Sequence, residues 1–138
     1  MTTLTLSTES RIIAGAMLLT IVTIAFGGWF LTRVARGQVE MTPFQTAFAR
    51  AGHAHAGVLV TLGLVGLLLV DSTNLSGITL WIARLGTPIA AALMSAGFFL
   101  SSLGKGATRP NKLIILLWIG ALSLCAGVIT LGLGLIIT

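Results

Sequence analysis

The side chains able to do chemistry in this chain are few and lie close together. The stretch Arg50-Ala-Gly-His53-Ala-His55-Ala-Gly57 holds both histidines of the protein beside one of its eight basic residues. An ionisable group inside an apolar helix is costly to desolvate, so its presence there calls for a function. On a helix at about 100° per residue, Arg50, His53, Gly57 and Thr61 share a face, while His55 lies about 160° from His53. Two residues apart, the imidazoles cannot chelate one ion, and each addresses a different neighbour. Three readings stand side by side. The histidines hydrogen-bond carbonyls of adjacent helices and fix packing or subunit register; His53 or His55 binds haem or a metal; or Arg50 and His53, one turn apart, form a small cationic site for an anionic ligand or a proton-linked role. Glycines on the His55 side would let another backbone approach closely.

The elements that carry these residues follow from composition. Of 138 residues, 56% are hydrophobic and 8% are charged, and the mean hydropathy is +1.07. Eight Lys and Arg with three Asp and Glu cannot cover a soluble domain, so most of the surface faces lipid. A span needs about 20 helical residues. Four apolar runs meet that length, which predicts an all-α integral membrane four-helix bundle, a single transmembrane domain over 1–138. Its helices fall at 12–34, 43–70, 78–103 and 111–137. The first run lacks the flanks and cleavage pattern of a signal peptide and reads as a retained span. Thr42 and Pro43 mark the start of the second helix as N-cap and first helical residue. Gly86-Thr87-Pro88 interrupts the third run, predicting either a kinked helix, the preferred reading, or a short interfacial helix over 77–85 with Trp81 and Arg84 at the headgroups. Gly28–Gly37 resembles Gly97–Gly106, and Ala56–Gly63 resembles Ala126–Gly132, so the two halves read as similar hairpins in a parallel repeat.

Charge sets the expected sidedness. Arg33, Arg36 and Arg50 surround the first connection and Lys105, Arg109 and Lys112 fill the third, six of the eight basic residues. The positive-inside rule then places connections one and three in the cytoplasm and both termini outside, in the cytoplasmic membrane of a prokaryote. Basic residues at the ends of apolar runs are topology signals, not a phosphate footprint, so the pI of about 11.3 predicts no nucleic-acid partner. The expected partners are the bilayer and either further copies of this chain or a larger membrane complex. The single Cys125 permits no internal disulfide and no cysteine-based zinc site. With no tyrosine, no phosphate loop and no paired carboxylates in the membrane, carboxylate hydrolysis and ATP-driven transport are set aside. Asp71, beside Ser72, Thr73 and Asn74, reads as part of a polar outer turn.

Two resemblances add expectations. His53-Ala-His55-Ala-Gly57 on a glycine-rich helix resembles the haem-ligand helices of the haem-copper oxidase subunit I superfamily, over about fifteen residues. That likeness implies haem bound at His53 or His55, completed by a methionine such as Met17 or Met94 or by a histidine of a second subunit. The overall plan, with four helices and the basic start Arg50-Ala-Gly-His53-Ala-His55, is similar to the MAPEG family of membrane-associated glutathione and eicosanoid enzymes, which implies trimers and a glutathione site between subunits. From the residues themselves, the reading is a non-enzymatic membrane subunit, self-associating or accessory to a bioenergetic or transport assembly. No catalytic set is assigned, and the ligand site is placed at Arg50, His53 and His55.

Overall fold

A computed structural model describes residues 5–137. It contains four long helices, α1 (Thr8–Ala35), α2 (Pro43–Val70), α3 (Gly77–Ser101) and α4 (Ile115–Ile136), the last entered through a single 3-10 turn at Lys112–Ile114. No strand occurs among the described residues. All four helices are long and apolar enough to cross a membrane, and the chain is a small polytopic membrane protein.

The helix ends are set by local polar chemistry. Ser7 caps α1 by accepting the Ser10 N–H, which starts the helix ahead of its apolar run. At α2, Thr42 and Gln45 form a reciprocal capping box with Pro43 at the first helical position. Gln45 also donates to the carbonyls of Ser102 at 3.1 Å and Gly104 at 2.8 Å, and the Thr42 hydroxyl donates to Ala107 O. These bonds tie the first connection to the third, so both lie at one end of the bundle.

α3 occupies the centre, against α2 on one side and α4 on the other, while α1 rests mainly on α2. The core gathers Met17, Leu59, Val60, Leu67, Ala90, Ala91 and Met94. α3 runs unbroken through Pro88, so the separate interfacial helix over 77–85 does not form. Proline removes one backbone donor, and α4 supplies a polar contact close by, where the Ser123 hydroxyl donates to Gly86 O at 2.9 Å.

The α3–α4 contact is built on small residues. Ala83, Ala90 and Gly97 on α3 and Gly120, Gly127 and Gly134 on α4 are all buried and recur at heptad spacing. A Cβ placed on Gly86 would lie 2.5 Å from the Gly127 Cα, so the two backbones touch with no side chain between them.

At the opposite end from the capped loops, Asp71 and Arg84 form an ion pair at 2.8 Å with side chains 11% and 5% exposed. The Asp71 carboxylate also accepts the Ser7 N–H at 2.8 Å and the Ser7 hydroxyl at 3.2 Å. This cluster fastens the start of α1 to the α2–α3 turn. Arg84 is therefore not a headgroup anchor; it is buried, paired, and stacked 5.0 Å over the exposed Trp81 ring.

Candidate functional site

The three residues singled out by sequence occupy different environments on α2. Arg50 is exposed and makes no hydrogen bond or ion pair with any described residue, so no direct link joins its guanidinium to His53. His55 is half-buried; its Nδ1 lies 2.8 Å from the Ala51 carbonyl one turn back, and its ring packs 4.8 Å from Phe98 of α3. With the proton on Nδ1, that bond leaves the Nε2 lone pair uncommitted. Within the described chain neither histidine bonds a carbonyl of an adjacent helix: His55 bonds its own helix, and His53 makes no hydrogen bond with any described residue.

His53 instead faces α1 across a pair of glycines. A Cβ on Gly27 would stand 3.3 Å from His53 Nδ1, and one on Gly28 would stand 3.3 Å from Cε1. The Gly27-Gly28 pair is therefore a notch that admits the imidazole edge, where a Cβ on either residue would press on the ring. The ring borders a groove of about 320 Å³ walled by Thr23, Ile24 and Gly27 of α1, Ala56 of α2, and Ser95 and Phe99 of α3. A second cavity of about 220 Å³ adjoins it, sharing Thr23, Ile24, Ala56 and Ser95 and reaching Met17 and Pro88, and the two together are the slot between α1, α2 and α3.

The polar inventory of the slot is short. Thr20 and Thr23 donate to the carbonyls of Met17 and Thr20, each at 2.6 Å, as membrane-helix hydroxyls commonly do. Ser95 differs: its hydroxyl oxygen is buried and has no hydrogen-bond partner. A buried hydroxyl without a partner costs free energy unless something supplies the bond. Ser95 was legible in the sequence only as an isolated polar residue in an apolar run; nothing there showed it would share a groove with His53.

Haem ligation within one chain meets a distance limit. Met17 packs on Gly63, ten residues along α2 from His53 and hence about 15 Å away along the axis. Met94 is buried against Gly120 of α4. Among the described residues, no three of His, Cys, Asp or Glu gather as a metal site.

No relative stands beside this geometry. No family model, curated protein or solved structure matches the chain, and its function rests on the site itself.

Proposed function

We propose that this chain is a non-enzymatic subunit of a membrane assembly, self-associating or accessory to a larger bioenergetic or transport complex, with α2 as its working element. It lies in the cytoplasmic membrane of a prokaryote with connections one and three in the cytoplasm. The observation that carries the reading is the state of His53: half-buried, without a hydrogen bond, and set at a groove beside an unpartnered serine hydroxyl. That is a surface prepared to receive a group; Ser95 and His53 border one groove without a hydrogen bond joining hydroxyl to imidazole. Arg50, exposed on the same helix near the basic end, extends the receiving surface toward the headgroups.

The test is purification of the tagged protein from its native membrane in mild detergent, with assembly mass and co-purifying chains measured together. An assembly heavier than one chain is expected, and Arg50→Ala combined with His53→Ala should reduce its mass or its partner content. A lone monomer, or a double variant with unchanged mass and partners, would remove the reading.

A second reading, haem binding, is favoured by one observation: the Nδ1 contact of His55 with the Ala51 carbonyl, the arrangement that leaves Nε2 available to iron. With Met17 far along the helix and Met94 packed on Gly120 of α4, the second axial ligand would come from another chain. An absorption spectrum of the air-oxidised and dithionite-reduced protein decides this. A Soret band lost on His55→Ala supports haem, and a featureless spectrum excludes it from the purified protein. The glutathione-enzyme alternative requires glutathione binding at millimolar concentration that is lost on Arg50→Ala.

A further inference from the structure

We infer that the slot between α1, α2 and α3 is a binding site for a neutral, lipid-soluble ring carrying hydrogen-bond-accepting oxygens, of the quinone class. The proposal deepens the reading of α2 as a receiving surface and rests on it.

Four observations converge. The slot is made of two adjoining grooves of about 320 and 220 Å³ that share four lining residues. It is bordered by two polar side chains on different helices, the Ser95 hydroxyl, buried and unpartnered, and the His53 imidazole, whose Nδ1 lies at the Gly27 end of the notch, the glycine that also lines the groove, and makes no hydrogen bond with any described residue. Two donors on separate walls suit a ring with oxygens at separate positions better than an amphiphile with one polar end. The walls around them are small or flat, Gly27 and Ala56 on one side and Phe99 on the other, which admits a planar ring and resists a bulky one. No cation lines the slot, since Arg50 is exposed elsewhere, and a carboxylate or phosphate head would enter without a counter-charge.

The route of entry fixes the solubility of the ligand. Thr20 and Thr23 of α1, with Ala92 and Phe99 of α3, are exposed residues of membrane-spanning helices at the margin of the slot. The mouth therefore opens onto hydrocarbon. Ser95 lies six residues before the end of α3, about 9 Å inside the helix terminus. A ring at that depth sits just beneath the headgroups, with its hydrophobic tail free to follow the slot toward the bilayer centre. A mostly apolar pocket with a few convergent polar groups is the usual form of such sites.

The experiment is equilibrium binding of menadione and of a one-isoprene ubiquinone to the full-length protein in nanodiscs, with empty nanodiscs subtracted. Saturable binding near one ring per chain is expected. Ser95→Ala, a substitution that favours the helix, should weaken it about fivefold to tenfold, the loss of one hydrogen bond. Thr23→Leu, at the exposed rim, should weaken binding by narrowing the mouth and leaves the core intact. Binding that is non-saturable, or identical in wild type, Ser95→Ala and Thr23→Leu, would overturn the proposal, as would native mass spectrometry showing the slot filled by phospholipid that neither quinone displaces. The assembly reading fails separately: a chain that binds quinone but purifies without partners refutes the subunit role alone, and one that assembles but binds neither probe refutes only the ligand.

Discussion

Burial alone would raise the Asp71 pKa, yet the Ser7 N–H, the Arg84 guanidinium and the serine hydroxyls around it hold the carboxyl below its ordinary value of 3.8. A carboxyl depressed in the folded state adds stability above the unfolded pKa and loses it as pH falls through the lowered value. An acid titration of the detergent-solubilised protein should therefore show this contribution intact above about pH 4 and disappearing below it, and Asp71→Asn should flatten that limb. At neutral pH the same substitution leaves Arg84 buried and unpaired, with an expected cost of about 3–5 kcal/mol in unfolding free energy. Asp71→Leu with Arg84→Met should recover most of the loss. Equal destabilisation by the single and double variants would show that packing, not charge pairing, holds this end together. The sequence displayed both residues but not their meeting, because an ion pair between a turn and the next helix depends on where α3 starts and which way its second turn faces. What was readable was the oddity of one arginine inside the outer part of a span. His53 and His55 were legible as special from residue type alone; the empty hydrogen-bonding capacity of Ser95 was not, since a serine in a membrane helix ordinarily bonds its own backbone.

Between elements, the seam of α3 and α4 makes the sharpest demand. A Cβ on Gly86 would meet Gly127 Cα at 2.5 Å and Ser123 O at 2.8 Å, all of it backbone that no rotamer change can move aside. Gly86→Ala should push the helices apart and lower stability by at least about 2 kcal/mol, read as earlier unfolding in a denaturing detergent titration. Gly57→Ala, where nothing lies within 4 Å, should leave stability unchanged or raise it by up to about 1 kcal/mol. If both variants behaved alike, helix propensity and not close approach would be deciding the outcome. Hydropathy located all four spans, and the Thr42-Pro43 pair located the start of α2, because capping chemistry is local. Gly86 was legible only as a weakness in the helix. Its role as a contact required the matching heptad of glycines on α4 to be set opposite it, a pairing across two elements that no single window of sequence displays.

For the molecule as a whole, the bonds from Thr42 and Gln45 to the third connection fix two loops at one end, and the proposed orientation sets that end in the cytoplasm. With Cys125 replaced by serine, single cysteines at Gln38 and Lys105 should both react with a membrane-impermeant maleimide only after the cytoplasmic side is opened, and one at Ser76 should react from outside. Labelling of Gln38 and Lys105 variants from opposite sides would contradict the bundle; labelling of both from outside would contradict only the orientation. The Asp71–Arg84 pair then has a consequence for biosynthesis. Its members lie 13 residues apart on the two arms of one hairpin, and on this orientation the hairpin tip is the segment that must be carried across the bilayer. Paired within the hairpin, the two charges cancel at its tip, and of the charged residues in α2 and α3 only Arg50, at the opposite end, keeps no counter-charge.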